Sequence, residues 1–444
     1  MQKLNTSFSG ILKVTTPLVV AGVAMNLVGV IDLILVTVLG EAQVGGTGNG
    51  QLLYGLLYVV GMGFTSGMQI IIGRRNGAHD YQKIGGLFFQ GLYFVLAFSL
   101  FLFGFIQWVV PELLTTLFDS ENVIQYSSIY MKTRGWGILF TMLNLLFIGF
   151  FVGITKTKIL GYFTPFISAL NIGLDLALIN GYGPFPAMGV EGAALASVIS
   201  EGAGSLLFII YMVRFVDLPK YDLRKVMPFN WSQTKLVFEV SSPIMVQNIV
   251  SIGAWFTFFV FVENLGERAL AISQMIRGIY IFIMVPVFSL ADAANTYVSN
   301  LMGEKRFDSV IPVINKTLIL GLLVNLFFFA LINLFPETVM GLFTPDETVF
   351  RDAISTVRLT TFSMFLFTLG FVPFRAISGT GNTRTALAIE SLSVIIYLIY
   401  TFFSTHYWNL PLHLVWASEF IYFGFLIILS VTYLKWGNWR SKEI

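Results

Sequence analysis

The sequence predicts an all-α polytopic membrane protein: twelve transmembrane helices in two six-helix lobes, with both termini cytoplasmic. Three observations predict it. Apolar runs of about twenty residues recur along the chain, the length a helix needs to cross a bilayer. Only 11% of the 444 residues are charged, about half the share typical of soluble domains. The runs are continuous, whereas a membrane β-barrel alternates in polarity over segments of about ten residues.

The spans fall near 14–38, 52–73, 88–110, 135–153, 159–180, 193–213, 238–262, 279–300, 317–336, 354–375, 386–407 and 413–434. Lys and Arg orient them, because cytoplasmic loops are enriched in both. Lys3 and Lys13, the loops after the even-numbered spans and the C-terminal tail together hold 20 of the 26 basic residues. The opposite side is acidic, with Glu41, Glu112, Asp119, Glu121, Glu337, Asp346 and Glu347. The expected location is the cell (inner) membrane. The N-terminal stretch MQKLNTSFSGILKV enters a full-length span without an A-x-A-like site, so it reads as a retained helix rather than a cleaved signal peptide.

The chain repeats itself. Pro17, Leu39-Gly40-Glu41, Gly77, Gly153 and Thr157-Lys158 recur as Pro243, Leu265-Gly266-Glu267, Gly303, Gly379 and Thr383-Arg384, all at one constant spacing. Leu117-Phe118 recurs as Leu342-Phe343, a single position short of that spacing. Six spans per half is an even number, so the halves share one orientation and a symmetry axis normal to the membrane. The expected domains are an N-terminal lobe over 1–219 and a C-terminal lobe over 220–444, joined by a charged cytoplasmic linker around 214–237. Lobes duplicated about a central cavity are the architecture of secondary transporters.

Charges inside the spans mark the candidate site, because a carboxylate at mid-membrane costs roughly 2.5–3.5 kcal/mol on insertion scales. Asp32 lies in the first span. The fifth holds Asn171 and Asp175, and the sixth Ala193, Ser197 and Glu201, each set spaced four apart and so on one helix face. Counting from the outer ends places Asp32 and Asp175 ~9–12 Å deep, with Ser197 and Glu201 one and two turns into span 6. Three helices thus bring polar groups to one layer of the first lobe. At the matching places of the second lobe stand Phe258, Tyr397 and Thr401, so the acidic cluster is one-sided. Burial and like charge both disfavour ionised carboxyls, so such a cluster can exchange a proton for a cation. The alternative is that Asn171 and Asp175 satisfy backbone near a helix end while Asp32 snorkels.

Other features argue less. Arg277, Asp292, Glu390 and Glu419 have no partner at helical spacing and read as structural, with Arg375 and Glu390 able to pair. Gly45-Gly46-Thr47-Gly48-Asn49-Gly50 follows a membrane helix and no lysine follows it, so it fails as a phosphate loop and reads as a flexible outer linker. Trp108, Trp408, Trp416 and Trp436 sit near span ends as interfacial anchors do. His79, His406 and His413 lack metal-ligand spacing, and the absence of cysteine excludes disulfides and thiolate metal sites. A net charge of +2 gives no sign of a nucleic-acid partner. No His, metal or nucleophile constellation at membrane depth points to an enzyme.

Pro17 with Asp32 fifteen positions on, then Leu39-Gly40, resembles the first helix of the MATE (multidrug and toxic compound extrusion) transporters. Gly61 to Gly77-Ala78 and Gly379-Thr-Gly-Asn-Thr-Arg384 are similar to that family's second span and tenth-helix loop. The resemblance covers nearly the whole chain. It implies an antiporter that exports small organic cations in exchange for Na⁺ or H⁺, without a further cofactor, working as a monomer in the bilayer. The family's N-lobe ion site maps onto Asp32, Asn171, Asp175, Ala193 and Ser197, which would also be the ligands of a Na⁺ ion. The chain departs from the family at two places. The carboxylates one branch carries on helices 7 and 10 would lie near Ser251 and Leu369, where no acid stands, and Glu201 replaces an uncharged polar residue. The nearest rival is a lipid-linked oligosaccharide flippase of the same superfamily, whose pyrophosphate substrate calls for cavity Arg or Lys, whereas this first-lobe cavity reads as acidic.

Overall fold

The computed structural model describes residues 3–341 and 347–444, so Leu342, Phe343 and Asp346 lie outside the described residues. Helices account for the ordered structure, and no strand occurs among the described residues. In chain order they are α1 (Phe8–Thr37), α2 (Glu41–Gly77), α3 (Gln82–Gly104), α4 (Val110–Leu117), α5 (Glu121–Gly135), α6 (Ile138–Gly153), α7 (Leu160–Asn180) and α8 (Gly189–Phe215). There follow α9 (Trp231–Glu263), α10 (Glu267–Gly303), α11 (Val310–Leu334), α12 (Pro336–Gly341), α13 (Glu347–Gly379), α14 (Thr383–His406), α15 (Leu412–Val415) and α16 (Ser418–Trp436). Among the described residues eleven helical stretches are long and apolar enough to cross a membrane. The pair α5 and α6, bent by 55° at Trp136-Gly137, makes the twelfth. The chain is a multi-pass membrane protein. Backbone groups in hydrocarbon have no water to bond, so closing them within helices is the only economical solution for spans this apolar.

The glycine-rich stretch 45–50 is a correction to the sequence reading. It is helical, lying in the first turns of α2. Two of its glycines serve packing: a Cβ on Gly46 would collide with Tyr126 Cβ, and one on Gly50 would stand 2.5 Å from the Tyr130 ring. Helices can approach this closely only where one side has no side chain. Composition suggested a loop, and the neighbouring helix α5 decided otherwise.

The chain divides into two compact units, residues 16–245 and residues 1–15 with 246–444. The division falls inside α9, downstream of the loop at 214–237. In the first unit α2 packs on α5 and α6, and α7 packs on α8. Phe88, Phe147, Phe150, Phe151 and Phe208 meet in its core as offset and edge-on ring pairs. The charged loop is docked on α3: Tyr93 donates to Met227 O (2.5 Å), Gln90 donates to Pro228 O (3.1 Å) and accepts from Asn230 N–H (2.9 Å).

In the second unit α13 packs between α10 and α16. The N-terminal residues are tied down there. Leu4 N–H donates to Glu304 (2.9 Å), Arg306 donates to Leu4 O (3.1 Å) and Lys316 donates to Thr6 O (2.8 Å). Trp416 corrects the sequence reading: it is fully buried, its indole N–H donating to Ser273 Oγ (3.0 Å). Trp108, Trp408 and Trp436 remain exposed.

Candidate functional site

The geometry of the site begins with the α7–α8 hairpin. Gly181 ends α7 in the left-handed region (φ 75°), where a residue with a Cβ is strained, and Met188 N–H returns to Leu178 O (2.8 Å). A Cβ on Gly192 would stand 2.6 Å from Leu178 O, so α8 starts almost in contact with the end of α7. That closeness sets Asn171 and Asp175 opposite Ser197.

The first unit encloses a cavity of about 380 Å³. Asp32 of α1, Asn171 of α7, and Ser197 and Glu201 of α8 line it. So do Gln51, Tyr54 and Tyr58 of α2, Tyr130 and Arg134 of α5, and Thr141 and Asn144 of α6. Asp32 is 5% exposed; Asp175 and Ala193 are buried behind the wall. The Asp32 and Asp175 carboxyls converge on the Asn171 amide. Two ionised carboxylates can only accept, so neither can satisfy the other. With its nitrogen turned to the acids, the Asn171 amide donates to Asp175 Oδ2 (3.2 Å) and Asp32 Oδ1 (3.3 Å), and its oxygen accepts from Ser197 N–H (3.1 Å). Among the described residues Asp175 Oδ1 finds no further partner. The structure therefore brings Asp32, Asn171, Asp175 and Ser197 into one network, as depth counting along the spans expects. Ala193 sits one turn from Ser197 and offers no polar side-chain atom.

Glu201 is placed differently from the expectation. Its carboxylate is forked by Arg134, with Nη1 and Nη2 each 2.9 Å from one oxygen. Thr141 Oγ1 donates to the same carboxylate (2.6 Å), and Tyr54 OH lies 2.6 Å from that hydroxyl. The guanidinium stands 4.1 Å above the Tyr54 ring centre. Arg134 is the cavity residue that sequence reasoning missed. It lies at the end of α5, beside the bend, where a count of apolar runs treats it as a loop residue. The Gly135-Trp136-Gly137 break beside it was the available signal. The cavity is therefore not purely acidic: it carries one basic residue, neutralised by Glu201.

The second unit corrects two further expectations. Ser251 does have an acid beside it, since its hydroxyl donates to Glu390 Oε1 of α14 (2.5 Å), joined there by Tyr422 OH (2.8 Å). Arg375 forms its ion pair with Asp292 rather than Glu390. Glu419 of α16 accepts from Tyr280 OH (2.8 Å). At the places matching Asp32 and Asn171, Phe258 and Tyr397 stack at 5.9 Å, with Trp416 edge-on to Phe258 at 4.9 Å. Trp255 packs against Phe259 and Tyr280.

Comparison with known proteins gives a consistent picture. A family model described as MatE matches residues 17–176 and again 243–403, two stretches that start at the paired prolines of the repeat, Pro17 and Pro243. The chain is 24% identical to a probable multidrug resistance protein NorM of Thermotoga maritima, over 98% of this chain and 93% of that one. It is 23% identical to the multidrug export protein MepA of Staphylococcus saprophyticus, over 88% and 86%. Its fold matches an outward-facing multidrug resistance MATE family transporter of the MOP superfamily with a TM-score of 0.88 and 20% identity, covering 96% and 94% of the two chains. A MOP superfamily transporter from Pyrococcus furiosus matches at a TM-score of 0.86 and 20% identity, with the same coverage.

Proposed function

The chain belongs to the MatE family, and on that premise we propose that it is a secondary active antiporter, not an enzyme, exporting organic cations or drugs in exchange for H⁺ or Na⁺ by alternating access. The observation that carries the reading is the Asp32–Asn171–Asp175 network on the cavity wall. Two carboxyls out of water resist carrying two charges together. They therefore hold a cation or a proton, and the cavity's affinity for a second cation depends on whether that place is filled. Ion and cargo compete, and alternation of access turns the competition into directed transport. The names of the NorM and MepA relatives support drugs as cargo.

With its nitrogen toward both carboxyls the Asn171 amide suits H⁺ as the coupling ion, whereas Na⁺ would call for the opposite orientation with the amide oxygen toward the ion. Under this reading Asp32 and Asp175 carry the proton, Asn171 and Ser197 position them, and Glu201 belongs to the cargo side of the cavity. The protein works as a monomer in the cell membrane with both termini cytoplasmic. A flippase of anionic lipid-linked sugars would need a free cavity cation, and Arg134 is engaged by Glu201.

Vesicles containing the protein, loaded with ethidium and given an imposed proton or sodium gradient, test the reading. The proton gradient should drive export in the wild type and not in Asp32→Asn. Equal gradient-driven export in both would overturn the coupling assignment, and export driven by sodium alone would replace H⁺ with Na⁺.

A further inference from the structure

The Arg134–Glu201 pair is built unlike a brace between helices. It lies on the cavity wall, with Tyr54 and Thr141 lining the same space. Only the two terminal nitrogens of the guanidinium are held, since among the described residues its Nε finds no partner. One face of the group rests on the Tyr54 ring at 4.1 Å, and its edge is forked onto a carboxylate that Thr141 supports. Fork and ring together recognise a planar, delocalised cation with two N–H groups along one edge. Arg134 itself sits in the last turn of α5, next to the 55° bend.

We propose that Glu201, Tyr54 and Thr141 form a cargo subsite for planar amidinium or guanidinium cations, and that Arg134 is a tethered occupant which such a cargo displaces. The proposal rests on the cation-export reading and names the class of cargo within it. Exchange of one cation for another keeps Glu201 paired throughout, which avoids the cost of an uncompensated carboxylate. The displaced guanidinium has somewhere to go, because Asp32 and Asp175 already attract it across the cavity. The charged and titratable groups facing it are Asp32 from α1, Tyr54 and Tyr58 from α2, Tyr130 from α5, Asp175 from α7 and Glu201 from α8. Among the described residues α6 presents no charged or titratable group, its polar lining residues being Thr141 and Asn144. A tetraalkylammonium ion has no N–H to fork and gains little from this subsite.

Calorimetric binding of benzamidinium and of tetraethylammonium to the purified full-length protein tests the assignment. Removing the competitor in Arg134→Ala should tighten benzamidinium about tenfold while tetraethylammonium changes by less than about threefold. If that variant does not fold, Arg134→Lys keeps a positive charge opposite Glu201 but cannot fork and stack, and should tighten benzamidinium about threefold. Glu201→Gln should weaken benzamidinium about tenfold or more. Benzamidinium affinity unchanged in the arginine variants, or tightening in step with tetraethylammonium, overturns the subsite and makes Arg134 a brace between α5 and α8. That outcome leaves cation export standing. Binding of neither cation to any form, with no ethidium export, overturns both.

Discussion

At matched positions of the internal repeat the two units hold opposite contents. The first has Asp32, Asn171 and Asp175; the second has Phe258, Tyr397 and Thr401, with Phe258 and Tyr397 stacked beside Trp416. A carboxyl nevertheless reaches this layer of the second unit from another helix. Glu419, at the place matching Ala193, accepts from Tyr280. The difference is one of satisfaction. Glu419 is a single carboxyl met by a hydroxyl donor, an arrangement that stays put. Asp32 and Asp175 are two acceptors facing each other with one amide between them, and only a proton or a cation completes them. A six-helix unit folds with either content, so the fold itself does not require the carboxyl pair.

The comparison can be broken most severely by moving an acid into the aromatic side. Phe258→Asp both opens a cavity and buries an unpaired charge, and should destabilise the protein by roughly 4 kcal/mol or more. Loss of folded protein on size-exclusion chromatography, or a large drop in Tm, checks it. Next in size is Asp32→Asn, which keeps the hydrogen-bonding shape and removes the charge. Gradient-driven ethidium export should fall at least about tenfold, the scale of coupling free energies of ~1–3 kcal/mol, with Tm nearly unchanged. Asp175→Asn should behave alike, and the double variant should be little worse than either, because the two act as one unit.

The mirror substitution sharpens the contrast. Glu419→Gln should leave export within about threefold and lower stability by ~1 kcal/mol, the worth of a hydrogen bond to tyrosine. Export lost in Glu419→Gln to the extent seen in Asp32→Asn would erase the distinction between the units. The smallest effect belongs to Trp416→Phe, which keeps the ring contacts with Phe258 and Tyr280 and loses one bond to Ser273. Thermal unfolding should report about 1 kcal/mol or less, with export intact.

Much of the first unit's network was legible in the sequence. Helical spacing puts Asn171 and Asp175 on one face, and span direction converts residue counts into depth, so Asp32 and Ser197 arrive at the same layer. Arg134 was not legible, because its place depends on a bend that shortens one span and turns the end of α5 into the cavity. The bond from Ser251 to Glu390 was not legible either, since it joins α9 to α14 and helical spacing carries no information across that distance. The same limit applied to 45–50, where glycines that composition assigns to a loop are the contact surface of a helix.

What the sequence by itself determined are the spans, their repeat and the depth of each buried charge, because hydrophobic length and helical rise act along the chain. What only the tertiary structure decided is partnership: which acid pairs with another acid, which is forked by Arg134 and which is held by tyrosine. Those choices rest on side-chain direction at helix contacts, where Gly46, Gly50 and Gly192 let backbones approach within a few ångströms. Partners were therefore set by the packing of helices, and charge location by the order of residues.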